Sequence, residues 1–304
     1  MRNFYFLKVP AGFSKKVYLY IACAALIFAS MEVFLKIAGV SLDPFQITFL
    51  RFLFGGLVLL PFAVKEYMAL PKGVLTFRLW LTLASLGAIL AANITFFQFG
   101  VNFSNASTTA VIFCINPVFT MSFAHLLTAD DKLNRWKILA LALFVTGLIF
   151  MIRPWDIQEG NTIRGVIFTV VSSALFGLFT VIGGKTLNRL GVFNQTTICF
   201  FIGALILLLF LLSTGRPVFE GAAANLGLVL YFGAVVTGVG YLFFFLAMKH
   251  SNASTTSVTF FLKPVIAPVF AVAILGETIT YNMYIGIALI LAASYIMTFR
   301  AKHT

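Results

Sequence analysis

The sequence predicts an all-α membrane protein of ten transmembrane helices, arranged as two inverted five-helix repeats around a central cavity. Three observations predict it. Hydrophobic residues fill 61% of the 304 positions and charged residues only 10%, whereas a soluble domain is about half apolar and a quarter charged. Ten apolar stretches approach the roughly 20 residues that a helix needs to cross the hydrocarbon of a bilayer. A polar motif and its surroundings also recur at one fixed spacing in the two halves of the chain.

Arg2, Lys8, Lys15 and Lys16 precede the first apolar run, 17–38. That run exceeds the about 7–15 residues of a secretory core, so it predicts a retained span behind a cytoplasmic segment, 1–16. Asp43-Pro44 turns the chain into 45–64, and Pro71-Lys72-Gly73 leads into 77–99. Spans 104–127 and 136–153 follow, parted by Asp130-Asp131, and Gly160-Asn161 opens the second half at 164–186. Span 194–212 ends before Gly215-Arg216-Pro217, and 226–247, 252–275 and 281–299 complete the set. Residues of this kind punctuate chains at turns, and none of the connections is long enough for a soluble domain.

Orientation follows from Lys and Arg, which stay on the cytoplasmic side during insertion. With the N-terminus inside, only Arg153, Arg164 and Arg216 fall outside, while Lys36, Arg51 and Lys263 lie within spans. Every other basic residue is then inside, so both termini are expected in the cytoplasm and the protein in the plasma (inner) membrane. Trp80, Trp136 and Trp155 stand at span ends, where indole rings anchor helices to the interface.

Phe96-Phe97 and Ser104-Asn105-Ala106-Ser107-Thr108-Thr109 recur 147 positions later, as Phe243-Phe244 and Ser251-Asn252-Ala253-Ser254-Thr255-Thr256. At the same spacing, Phe113, Pro117 and Phe123 meet Phe260, Pro264 and Phe270. Two copies of a five-span unit, 17–153 and 164–300, must enter the bilayer in opposite senses because five is odd. Inverted repeats of this kind belong to secondary transporters, in which they open one central site alternately to either side.

The net charge of +12 does not indicate nucleic-acid binding, since the basic residues stand singly instead of forming a patch. Cys23, Cys114 and Cys199 each lie in an apolar run without paired spacing, so neither a disulfide framework nor a metal site is expected. His125, His250 and His303 lack ligand spacing. Gly183-Gly184-Lys185-Thr186 ends like a phosphate loop, but Phe179 stands where the first glycine belongs. No enzyme motif is present and no cofactor is expected.

Ionisable groups inside a span are costly and face a cavity or a partner. Glu32 and Arg51 lie at similar depth in adjacent antiparallel spans, which suits a structural ion pair. The alternative places Glu32 in the cavity as a proton carrier or cation site. Lys263 sits midway along its span, and its counterpart 147 positions earlier is Asn116. Each precedes a proline, Pro264 or Pro117, where a kink can expose backbone carbonyls. Lys263, Asn116, Glu32, Asn93 and Tyr241 are therefore the candidate substrate-binding residues, against a purely structural role for each. Lys36 is expected to snorkel. The Ser-Asn-Ala-Ser-Thr-Thr copies suit helix caps and close helix packing. The 36 phenylalanines cannot be sorted among lipid, core and cavity.

These features together resemble the EamA-type transporters of the drug/metabolite transporter superfamily, over nearly the whole chain. The resemblance rests on Phe49-Leu50-Arg51-Phe52, on the small-residue openings of spans 4 and 9 with Pro117 and Pro264 inside them, and on Leu275-Gly276-Glu277-Thr278-Ile279-Thr280. Departures are Ala129-Asp130-Asp131 where the second half has Gly276-Glu277, Lys263 where acidic or neutral residues are common, and Phe28-Ala29 in place of a tryptophan-glycine pair. The resemblance implies a ten-helix basket that moves metabolites, amino acids or amphiphilic compounds without ATP. The expected partners are a small-molecule solute and membrane lipids, with a coupling proton or ion and the oligomeric state left open. An intramembrane lipid-modifying enzyme and a passive channel or scramblase are the alternatives.

Overall fold

The computed structural model describes residues 15–38, 42–71, 73–104, 106–129, 131–152, 162–275 and 281–300. Among them the secondary structure is entirely helical. The first half contributes α1 (Lys15–Ala38), α2 (Pro44–Met68), α3 (Phe77–Phe103), α4 (Ala106–Phe113), α5 (Asn116–Leu127) and α6 (Arg135–Ile152). The second contributes α7 (Ile163–Leu190), α8 (Val192–Ser213), α9 (Leu226–Leu230), α10 (Gly240–Lys249), α11 (Ala253–Thr256), α12 (Val258–Leu275) and α13 (Tyr281–Tyr295). A π-helical stretch, Tyr231–Val239, joins α9 to α10, and a second, Ile296–Arg300, extends α13.

Seven of these helical stretches are long and apolar enough to cross a membrane, and Val111–Leu127 is a shorter apolar helix. Residues such as Leu205, Leu209 and Leu212 on α8 are exposed, as expected where lipid replaces water as the outer solvent.

Helix ends are set by local chemistry. Asp43 accepts the N–H of Phe45 at 2.8 Å and of Gln46 at 3.2 Å, with Pro44 in the first turn of α2. Thr76, Thr162 and Asn252 accept from Leu79, Gly165 and Thr255 at the starts of α3, α7 and α11. Such caps satisfy N–H groups that have no partner within the helix. Gly191, at φ 84°, turns the chain directly from α7 into α8, a backbone state that favours glycine.

The two expected proline kinks differ in outcome. The fourth span is interrupted at Cys114–Ile115, just before Asn116 and Pro117 open α5. The ninth is interrupted earlier, at Ser257, and α12 continues as a helix through both Pro264 and Pro268.

Packing is close because small residues line the seams. A methyl added at Gly147 of α6 would lie 2.8 Å from the Gly286 carbonyl of α13, and one at Gly177 of α7 would lie 2.8 Å from the Thr120 nitrogen of α5. Phe52 of α2 stacks on Phe200 of α8 at 5.4 Å, and Phe144 of α6 on Phe261 of α12 at 4.1 Å. In plan, α2 lies along α8 and α6 along α13. α1 packs on α12 and α10, α7 packs on α5 and α3, α2 borders the stretch Tyr231–Val239, and α3 borders α8.

Two carboxylates of the first half seat helix starts of the second. Glu66, near the end of α2, accepts the N–H of Val192 at 3.1 Å and of Asn194 at 2.8 Å. Asp131 is buried, pairs with Lys137 at 2.5 Å and accepts the N–H of Ser254 at 3.0 Å. The Lys137 ammonium also donates to the Lys132 carbonyl at 2.7 Å.

Candidate functional site

A cavity of about 40 Å³ lies among α1, α2, α3, α4, α7, α10 and α12. Both halves build its wall. Its polar lining comprises Arg51, Asn93, Gln98, Tyr241 and Lys263. The rest is apolar: Phe28, Met31, Ile94, Phe97, Phe113, Phe176 and Phe260.

Arg51 is 5% exposed and Lys263 3%, so two cationic side chains are held almost wholly out of water. Arg51 Nε donates to Thr237 Oγ1 at 3.1 Å, and its guanidinium lies 5.9 Å from the centre of the Phe232 ring. Thr237 in turn donates to the Phe232 carbonyl at 2.7 Å. Both belong to the π-helical stretch, a rare backbone form that recurs at functional sites. A methyl on Gly55 would come 2.9 Å from the Thr237 side chain, so glycine there lets α2 bring Arg51 against this stretch. The Lys263 ammonium stands 5.9 Å over the Phe113 ring, a favourable position for a cation on an aromatic face.

Asn93 is completely buried and donates through Nδ2 to the Ser172 carbonyl at 2.6 Å and to its Oγ at 3.0 Å. Gln98, one turn further along α3, donates to Thr48 at 3.3 Å. Tyr241 stands edge-on to Phe28 at 5.4 Å and to Phe200 at 5.2 Å. Phe113, Phe176 and Phe260 pack edge to face at 5.0 to 6.1 Å, closing the apolar side of the wall.

Of the expected binding residues, Lys263, Asn93 and Tyr241 thus meet in one cavity. Asn116 does not line it: fully buried, it donates to the Phe113 carbonyl at 3.0 Å in the turn between α4 and α5. The side chain of Glu32, and with it both the Glu32–Arg51 pair and the cavity role, lies outside the described residues, as do Lys36, Asn105, Asp130 and 276–280. Arg51, expected as a structural partner of Glu32, also lines the cavity, and so does Gln98, whose only signal in the sequence is a polar side chain in an apolar span. Among the described residues no group of three His, Cys, Asp or Glu side chains is placed to hold a metal.

The model of the EamA-like transporter family matches residues 15–153 and again 163–299. The chain belongs to the EamA-like transporter family. A protein named only as an uncharacterized transporter, from Clostridium kluyveri, is 36% identical over 291 residues, covering 93% of each chain. An uncharacterized transporter of Archaeoglobus fulgidus is 25% identical over 94% of this chain and 98% of its own. The S-adenosylmethionine uptake transporter of Rickettsia prowazekii is 23% identical over 89% of this chain and 88% of its own. A crystal structure superimposes with a TM-score of 0.78, covering 95% of this chain and 99% of that one; at 15% identity it is a likeness of fold. This EamA-like transporter is accordingly a multi-pass membrane protein whose family moves small solutes.

Proposed function

We propose that this chain is a secondary carrier, moving a small organic solute that bears a carboxylate and an apolar body by alternating access and without ATP. The cavity carries the proposal: Arg51 and Lys263 offer positive charge, and aromatic rings enclose the rest. Buried in low dielectric, cations attract an anionic group more strongly than in water. Both side chains come from different halves of the chain, so relative motion of the halves changes how they face a solute. The repeats are 17–153 and 164–300, inverted within ten spans of the inner membrane, with both termini cytoplasmic.

The plan of helix contacts supports the inverted repeat. Exchanging α1 with α7, α2 with α8, α3 with the helix 226–249, α4–α5 with α11–α12, and α6 with α13 carries the observed pairings onto one another. S-adenosylmethionine, the solute in the name of the Rickettsia relative, is likewise a small organic molecule. In the same reading Lys263, Asn93 and Tyr241 bind the solute, Asn116 and Pro117 shape the break beside it, and Glu32 supplies either a partner for Arg51 or a proton site.

The test is uptake by proteoliposomes loaded with a metabolite panel, with hits found first by thermal stabilisation of the purified protein. Lys263→Ala is expected to insert normally and to lower saturable uptake at least about tenfold, the scale of one lost charge-assisted contact. Unchanged uptake kinetics would remove Lys263 from the site, and solute conversion in detergent without compartments would replace the carrier by an enzyme.

A further inference from the structure

We propose that Asn93 is a specificity-determining residue, its side-chain oxygen selecting solutes that carry an N–H or O–H donor beside the carboxylate. The inference rests on the carrier reading above and names the class of solute. Its first support is an unmet acceptor. Six buried side-chain polar atoms among the described residues lack a hydrogen-bond partner, and Asn93 Oδ1 is the one belonging to the cavity wall. A buried acceptor left unpaired is unfavourable, so an arriving donor gains more there than at a solvated site.

The second support is orientation. The Ser172 carbonyl can only accept, so the amide must turn its nitrogen toward α7, as the 2.6 Å contact requires. Ser172 Oγ donates back to the Asn93 carbonyl at 2.9 Å and completes a reciprocal clamp. The amide cannot flip without setting oxygen against oxygen, and Oδ1 is kept on the side away from Ser172.

The third is that helix packing does not call for this amide. At the 147-residue spacing, Asn93 corresponds to Gly240 and Ser172 to Ala25. There Gly240 of α10 lies against the side chains of Phe28 and Ile27 of α1, which a methyl on it would approach to 2.8 and 3.1 Å. One crossing sets a glycine against apolar side chains with no polar clamp; the other spends a polar clamp that leaves an acceptor over. With Arg51 and Lys263 for the anion and Phe97, Phe113, Phe176 and Phe260 for the body, the matching solutes are apolar 2-amino or 2-hydroxy acids.

Three probes that differ only at carbon 2 decide the matter: phenylalanine, phenyllactate and 3-phenylpropionate, each titrated against the melting temperature of the full-length protein in detergent. The first two are expected to stabilise the wild type at concentrations about tenfold or more below the third, because a site built around a hydrogen bond rejects the analogue that lacks it. Asn93→Leu should bring the three within about twofold. Should that variant fail to fold, Asn93→Ala, which like the Gly240 crossing of the other half has no polar clamp, serves instead. Equal ranking by the wild type, a preference that survives Asn93→Ala, or silence toward all three probes overturns the inference. The panel uptake with Lys263→Ala reports separately on the carrier reading, so the two can fail independently.

Discussion

Arg51 and Lys263 are both cations, yet the structure holds them differently, and the difference is testable. Arg51 uses the geometry of its planar fork, with Nε on Thr237 and its plane near Phe232, whereas Lys263 offers a point charge over Phe113. Arg51→Lys keeps the charge but cannot keep both contacts. Uptake in proteoliposomes is expected to fall roughly tenfold while membrane insertion is retained; wild-type rates would mean that charge alone matters at this position. Lys263, Asn93 and Tyr241 could be picked out of the sequence because each breaks an apolar run. Phe113, Phe176 and Phe260 could not be, since a phenylalanine facing lipid and one facing a cavity sit in equally apolar surroundings. Asn116 stands away from this cavity for a related reason: its place opposite Lys263 in the repeat says nothing about a helix break that turns its amide onto the Phe113 carbonyl.

At the scale of elements, the seating of α8 and α11 on carboxylates of the first half makes two stability predictions. Asp131→Ala strands the buried Lys137 ammonium and is expected to cost about 3–5 kcal/mol. Adding Lys137→Met should recover part of that loss, and a melting curve in detergent reads both. Glu66→Ala removes the acceptor for two N–H groups at the start of α8 and should cost about 1 kcal/mol. A melting temperature equal to wild type would show that water replaces it. Helix starts were legible where Asp43 announces a turn and Asn252 a cap. The carboxylate seats were not, because Glu66 and Val192 are distant in sequence and only tertiary packing brings them together. The π-helical stretch was equally hidden, since Tyr231–Val239 reads in sequence as an ordinary apolar helix.

For the whole molecule, the inverted repeat makes a prediction about sidedness. In a chain cleared of Cys23, Cys114 and Cys199, cysteines placed at Ser104 and Ser251 should react with a membrane-impermeant reagent from opposite faces. Labelling of both from one face would contradict inversion. The cavity's size carries a further consequence. At about 40 Å³ it is small beside the pockets that hold metabolite-sized ligands. Where a solute widens the bundle to enter, its measured affinity is discounted by the rarity of the widened form. Loosening a seam far from the lining, for instance with Gly147→Ala, should then tighten binding even as it lowers the melting temperature.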